Sequence, residues 1–320
     1  MKNKNGVMSV KAIIEKITEQ IQEGIYPGAS LALYRNGQWS EHYLGLADPE
    51  KGEPVVADLV YDLASVSKVV GVATICAFLY AKGELALDRP FKELYPRFAH
   101  EKTTIRELLT HTSGLDPFIH NRDQLDARQL KTALENLQLK EDKSFHYTDV
   151  NFLLLGFWLE DRFRQPLDRL FEELIFTPWK MTETRFGPVE KAVPTVRGVA
   201  SGSVHDPKAR VLGRHAGSAG LFSTVADLER FLEHYLKEDF ARDLSQNFAR
   251  EEGKTRALGW NLEGDWLDHT GYTGTFIMYN RKSQEAVIFL SNRTYEKDER
   301  AQWILDRNSL MDLIKQECEK

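Results

Sequence analysis

The strand signals of this chain lie at its two ends and the helical signals lie between them, so a sheet can form only if both termini contribute to it. Near the start, Ile13, Ile14, Ile17 and Ile21 recur at helical spacing and predict a helix that ends at Gly24. Ala29 to Tyr34 and Gln38 to Leu46 then flank Asn36-Gly37, the strongest short hairpin signal. At the other end, Thr275 to Asn280 and Ala286 to Leu290 read as strands joined by Arg281-Lys282-Ser283-Gln284, and a closing helix follows from about Trp303 to Glu317. From about Leu87 to Thr184 the pattern is mostly helical with polar connections. The expected organisation is an α/β sandwich made from residues 1–86 and 185–320, with an all-helical domain, 87–184, inserted between them.

Composition narrows the function classes. At 320 residues and 42% hydrophobic, the chain can bury one large core or two modest ones. A net charge of −6 and a pI near 5.9, with no dense Lys/Arg block, argue against nucleic acid as a partner. Cys76 lies inside an apolar run and Cys318 near the C-terminus, so no disulfide framework is expected. The longest apolar stretch, Val69 to Ala81, is too short to span a bilayer. The opening Met1-Lys2-Asn3-Lys4 passes into an amphipathic pattern rather than an apolar leader with a cleavage site. The expectation is a cytoplasmic protein, or an extracytoplasmic one if a leader has been trimmed. The oligomeric state stays open.

The chemistry begins at Ser65, three residues before Lys68 in Asp62-Leu63-Ala64-Ser65-Val66-Ser67-Lys68, with Val69 to Ala81 following as an apolar, helix-compatible stretch. If a helix begins near Ser65, the i, i+3 spacing sets hydroxyl and amine side by side on one face. A serine hydroxyl is too weak an acid to attack a carbonyl unless a neighbour takes its proton. Lys68 can do so only when neutral, and burial against Val69 and Val72 would disfavour its ammonium form. The unpaired amides of a helix start could also help the Ser65 N–H hold a developing oxyanion. The motif alone is weak, since Ser-x-x-Lys is expected about once by chance in a chain of this length. The alternative is a helix start with Ser65 as N-cap and a solvated Lys68.

Two further segments, Phe145-His146-Tyr147-Thr148-Asp149-Val150-Asn151 and Asp268-His269-Thr270-Gly271-Tyr272-Thr273-Gly274, change that weighting. Ser-x-x-Lys, then Tyr-x-Asn or a variant, then Lys/His-Thr-Gly resembles the signature of the penicillin-recognising serine hydrolases. The likeness is to the branch holding class C β-lactamases, D-Ala-D-Ala carboxypeptidases, D-aminopeptidases and β-lactamase-like esterases. It extends through Pro27-Gly28-Ala29-Ser30, Gly83-Glu84-Leu85, Leu108-Leu109-Thr110-His111-Thr112-Ser113-Gly114 and Ala219-Gly220-Leu221-Phe222-Ser223-Thr224, from about Gly24 to about Asn292.

The resemblance implies a β-lactamase/transpeptidase-like fold, an antiparallel sheet flanked by helices beside an all-helical domain, with the active site in the cleft between them. It places Ser65 at the start of the central helix, Tyr147 on a loop of the helical domain and His269 on the edge strand. It makes Ser65, Lys68 and Tyr147 catalytic, the backbone amides of Ser65 and Tyr272 the oxyanion hole, and Asp149, His269, Thr270 and Gly271 substrate-binding residues. Gly271 would leave room for substrate along the strand. Without the resemblance, Tyr147 would read as a core aromatic and Asp149 as a loop carboxylate or helix cap.

Asp149 departs from the commoner asparagine. An aspartate only accepts hydrogen bonds, and could pair with Lys68, raising its pKa and shifting proton transfer toward Tyr147. His269 stands where many β-lactamases have lysine and can be neutral at pH 7, which points away from a dedicated β-lactamase. His111-Thr112-Ser113-Gly114 mimics the last motif but precedes a loop, and is assigned to a structural turn. His205 and His215 lack metal-ligand spacing, so no metal and no cofactor are expected. The Glu296-to-Arg300 cluster reads as a solvated turn.

The expected function is acyl transfer from a small amide, lactam or ester to Ser65 and then to water, in a D-amino-acid peptidase, carboxypeptidase or esterase for which β-lactam hydrolysis is at most a side reaction. The partner is a small molecule or short peptide. The alternatives are a penicillin-binding sensor that acylates without turnover, or a non-catalytic interaction module on the same fold.

Overall fold

A computed structural model describes residues 10–250 and 254–319. Its frame is a seven-stranded antiparallel sheet of order β3-β2-β1-β10-β9-β8-β7, built from β1 (Gly28–Arg35), β2 (Gln38–Asp48), β3 (Glu53–Pro54), β7 (Asn261–Glu263), β8 (Trp266–Thr270), β9 (Phe276–Asn280) and β10 (Glu285–Ser291). The β1–β2 turn is Asn36-Gly37, with φ of 52° and 79°. Two left-handed residues match the twist of the paired strands, which is why this dipeptide is so strong a signal. The join between the two ends of the chain is β1 against β10, from Ala29 opposite Ser291 to Tyr34 opposite Ala286.

Side-chain alternation then divides the core into two layers. Leu31 and Leu33 of β1, Phe276 and Met278 of β9, and Val287 and Phe289 of β10 face the terminal helices Val10–Gln22 and Arg300–Cys318, where Ile13, Ile17, Leu310 and Ile314 meet them. Ala32, Tyr34, Ile277, Tyr279, Ile288 and Leu290 face the other way, into the larger core shared with helix Val225–Lys237 and the central helix. Because both faces of these strands are covered, they read as nearly continuous apolar runs.

The middle of the chain is helical, including Ile105–Thr110, Ala127–Glu135, Val150–Phe163 and Leu167–Phe171, the last continued by a π-helical turn at Glu172–Phe176. Thr104 with Glu107 and Asp126 with Gln129 form capping boxes that start two of these helices. All residues from Val150 to Leu159 are buried, as expected of a helix enclosed on every side. A second sheet, of order β4-β6-β5, pairs β4 (Tyr61–Asp62), β6 (Leu221–Ser223) and β5 (Arg185–Phe186). Strands this short carry no period, so no pattern in the sequence announces this sheet.

The central helix begins earlier than the apolar run suggests. A 3-10 turn at Ala64–Val66 leads into a π-helical turn at Val69–Ala73 and an α-helix at Thr74–Ala81, with the Thr74 hydroxyl donating to the Val69 carbonyl at 2.6 Å. Ala64–Ala81 is thus 18 residues of mean hydropathy 1.6, long and apolar enough to cross a membrane by length and composition. This corrects the expectation that the stretch is too short. Its apolar character has another cause here, since 78% of it is buried inside the fold. Cys76, within it, and Cys318 are both free of disulfides.

Candidate active site

Ser65 lies just past β4, on a turn that is held open from several sides. Ala64 has φ of +45°, a left-handed conformation that costs a residue with a side chain about 1–3 kcal/mol and persists only where its surroundings over-determine it. Asp62 supplies one constraint: its Oδ1 accepts from the Ala64 N–H and its Oδ2 from the His205 N–H, both at 2.8 Å. Burial pushes the Asp62 carboxyl up to about 6, against these two amide bonds. Thr273 and Thr275 supply others, donating their hydroxyls to the carbonyls of Asp62 (2.9 Å) and Leu63 (3.0 Å).

Lys68 is fully buried, and its Nζ donates to Ser65 Oγ at 2.9 Å, Asp149 Oδ1 at 2.7 Å and the Ser218 carbonyl at 2.9 Å. Three acceptors match the three protons of an ammonium. Burial pulls the Lys68 pKa down, but Asp149 and then Tyr147 outweigh it, so the amine is held above its ordinary value. Of the two opposing effects expected at Lys68, burial that lowers its pKa and pairing with Asp149 that raises it, the pairing prevails: a carboxylate in direct contact outweighs desolvation. Burial would also raise Asp149, but Lys68 and Lys208 hold its carboxylate well below the usual range. Asp149 sits at the N-cap of helix Val150–Phe163 yet makes no capping bond. Its second oxygen faces Lys208 Nζ at 3.2 Å.

Tyr147 stands on the loop before that helix, half exposed, with Lys68 Nζ 5.1 Å from its ring centroid. Its ring rests on His111 at 4.7 Å. His111 terminates helix Ile105–Thr110 in a left-handed conformation, and its carbonyl accepts from His146 N–H at 2.9 Å. Its Nδ1 accepts from Asn151 Nδ2 at 3.2 Å, and burial keeps the ring neutral. The His111-Thr112-Ser113 turn is thus the wall behind Tyr147, a structural role next to the site.

His269 and Thr270 come in from β8. This strand is not the edge of the sheet, as expected, because β7 pairs outside it; but β7 ends with Asn261 opposite Asp268, leaving His269 and Thr270 beyond its reach. His269 is buried, and burial, with Lys68 and Arg256 nearby, drives its pKa well below the ordinary value. Its Nδ1 donates to the Thr270 carbonyl at 3.2 Å, and its buried Nε2 has no partner. That leaves a neutral acceptor on the cleft wall. Gly271 borders the cleft and has a further role beside the expected room for substrate: a Cβ there would lie 2.6 Å from the Leu63 carbonyl and 2.1 Å from Thr275 Oγ1. It is glycine so that the end of β8 can close against the nucleophile turn. The Gly271 N–H is committed to the Thr275 carbonyl at 2.6 Å, which makes Tyr272 the next amide in line.

Ser65, Tyr147, His269, Thr270, Gly271 and Tyr272 all border one cleft of about 210 Å³. The rest of its wall combines Phe145, Asn261, Trp303 and Ile304 with four cationic residues, Lys254, Arg293, Arg300 and Arg307, and carries no carboxylate among the described residues. Arg307 Nη1 donates to Thr270 Oγ1 at 3.1 Å. Arg293 is almost fully buried; its Nε donates to the Tyr272 carbonyl at 2.8 Å, and its Nη2 has no partner. A trough of about 490 Å³ continues from the cleft past Lys254, Asn261, Thr270 and Arg307.

The Glu296-to-Arg300 segment is consequently more than a solvated turn: Asp298 accepts from the Tyr272 hydroxyl and from Arg293, and Arg300 borders the cleft. Sequence reasoning missed Asp62, Lys208 and the three arginines, because charged residues on helices and loops ordinarily read as solvent-facing. Among the described residues, no group of three His, Cys, Asp or Glu side chains is placed to hold a metal ion.

Comparison with known proteins bears on the family and the fold. A family model described as Beta-lactamase matches residues 13–310. A protein of Escherichia coli strain K12 named "Putative D-alanyl-D-alanine carboxypeptidase" is 27% identical, over 87% of this chain and 81% of its own length. A β-lactamase/D-alanine carboxypeptidase structure from Pseudomonas syringae superposes with a TM-score of 0.75 at 20% identity, covering 94% of this chain and 98% of that one. EstCE1, described as a hydrolase with promiscuous acyltransferase activity, superposes with a TM-score of 0.76 at 19% identity, covering 94% and 97%. At these identities the structural likenesses establish the fold.

Proposed function

The chain belongs to the beta-lactamase family of serine hydrolases, and on that premise we propose that it cleaves small amides or esters bearing a carboxylate near the scissile bond, through an acyl-enzyme on Ser65. The observation that carries this reading is the Lys68 Nζ to Ser65 Oγ contact of 2.9 Å at the floor of a cleft walled by four cations. A short peptide ending in a D-amino acid fits these demands, and the relative from Escherichia coli carries that substrate class in its name.

In the proposed reaction Ser65 Oγ attacks the carbonyl while its proton passes to the Lys68/Tyr147 pair. The amides of Ser65 and Tyr272 receive the oxyanion. The proton is returned to the leaving amine or alcohol, and water releases the acyl group. Neutral His269 supplies no charge, so the substrate carboxylate is read by Arg307 and Thr270, a guanidinium and a hydroxyl already aligned on each other.

The test is intact-protein mass spectrometry after exposure to a panel of β-lactams, nitrophenyl esters and D-alanyl peptides, with product release followed in parallel. The expected result is a single acyl adduct that turns over, and that Ser65→Ala loses while staying folded. Labelling that persists in Ser65→Ala would show that another residue is the nucleophile. A stoichiometric burst with no further product would favour the sensor reading instead.

A further inference from the structure

Asp149 is held between two ammonium groups, and only one of them touches the nucleophile. Lys68 takes Oδ1 at 2.7 Å and Lys208 takes Oδ2 at 3.2 Å. Lys208 lies in the short helix Pro207–Leu212, its side chain is 14% exposed, and it is not among the residues that border the cleft at Ser65. It can therefore act on the chemistry only through Asp149 and Lys68.

A lysine paired alone with an aspartate is a poor base, because the carboxylate stabilises the ammonium and resists its loss of a proton. Here the single carboxylate is divided between two cations, and the like charges oppose each other across it. The other groups facing Lys68 do not change this balance. His111 and His269 are both kept uncharged by burial, Ser218 contributes a carbonyl, and Tyr147 is the other titratable partner among the described residues. Arg256 lies farther out and acts on the two imidazoles and on Tyr147.

We propose that Lys208 is a positioning residue for acylation: by sharing the Asp149 carboxylate it loosens that carboxylate's hold on Lys68, so that the Lys68/Tyr147 pair can give up one proton and become the base for Ser65. The inference rests on the acyl-enzyme reading above. A neutral Lys68 beside a phenol and an ammonium beside a phenolate differ only in where one proton sits, so the two side chains act together as one base. In the step itself the Ser65 proton moves to the pair, the Oγ–C bond forms, and the carbonyl electron pair moves onto oxygen. On collapse the bond to the leaving group breaks, and the same proton goes to the leaving atom.

The test is the pH dependence of acylation by a nitrophenyl ester, read by stopped flow on the full chain. Lys208→Met keeps the apolar stem and removes the charge. Its acid limb is expected to move up by about one pH unit, a loss of about tenfold in rate at a fixed pH on that limb. Lys208→Arg should keep the wild-type limb, and Lys208→Met combined with Asp149→Asn should move it back, because the carboxylate that then over-binds Lys68 is gone as well. A residue that merely supported the fold would lower the rate at every pH and leave the limb in place.

An unmoved limb in Lys208→Met, or a double variant that stays with the single one, overturns the proposal; Lys208→Gln is read in the same way should the Met variant not fold. Wild-type protein that forms no Ser65 adduct overturns the hydrolase reading and this inference with it. An adduct in wild type with an unmoved limb in the variant removes Lys208 alone.

Discussion

Gly271→Ala tests whether the end of β8 must close on the nucleophile turn. The added Cβ would meet Thr275 Oγ1 at 2.1 Å and the Leu63 carbonyl at 2.6 Å. The threonine hydroxyl can rotate away, though it then loses its 3.0 Å bond to the same Leu63 carbonyl; the carbonyl is backbone and can yield only if the strand or the turn moves. Overpacking of this kind costs about 1–3 kcal/mol. At about 2.1 cal/mol/K per residue, the unfolding entropy of a chain of 320 residues is about 0.7 kcal/mol/K, so the melting temperature should fall by only about 2–4 °C.

The effect on rate should be larger. Moving the β8 end shifts the Tyr272 amide relative to Ser65, and loss of one oxyanion donor costs about 100- to 1,000-fold. Gly264→Ala is the control. It lies in the β7–β8 turn with φ of +59° and nothing within 4 Å of a Cβ, so its cost is backbone strain of about 1 kcal/mol with no displacement of the site. Melting curves and acylation rates of both variants decide the matter. The close-approach argument is refuted if Gly271→Ala acylates as fast as Gly264→Ala.

Three further outcomes are expected. Arg307→Ala should lower kcat/KM about 10- to 100-fold for substrates with a carboxylate, the worth of a charged hydrogen bond, and far less for an uncharged nitrophenyl ester; equal losses on both would show that Arg307 does not read the anion. Asp62 has a folded pKa of about 6 against 3.8 in the ordinary carboxyl, so the folded state binds its proton more tightly. Its ionisation therefore costs nothing below about pH 4 and opposes folding increasingly up to about pH 6, by about 3 kcal/mol at about 1.4 kcal/mol per unit. The melting temperature of wild type minus that of Asp62→Asn should fall as pH rises from 4 to 6, and a flat difference would remove the assignment. Asp149→Asn should improve turnover of acylamide substrates relative to simple esters, since an asparagine side chain can donate to an amide carbonyl; steady-state kinetics showing the same change for both classes would refute it.

Several parts of this protein were legible before any coordinates. The hairpin at Asn36-Gly37, the pairing of strands from both termini and the Ser65/Lys68 neighbour relation all depend on local backbone geometry, which residue type and spacing report directly. The β4-β6-β5 sheet was not legible, because two or three residues cannot display a period; the start of the central helix near Ser65 came from the resemblance, since the apolar pattern by itself begins only at Val69. Gly271 was recognised as special for the substrate side alone; that the strand also closes there on Leu63, a residue more than two hundred positions away, needed the tertiary structure.

By itself, then, the sequence determined which side chains could do chemistry and which of them a single turn of helix would bring together. Tertiary structure alone decided their charge states and what they face. Asp149, 81 residues beyond Lys68, keeps that amine protonated, while Lys208 claims the same carboxylate from another helix. Arg300 turns toward the cleft from a segment whose charges read as solvated, and Arg293 and Arg307 join it from either side of that segment. The reason is that bond geometry is set within a few residues, whereas the free energy of a charge is summed over every neighbour and every water lost, wherever in the chain those neighbours originate.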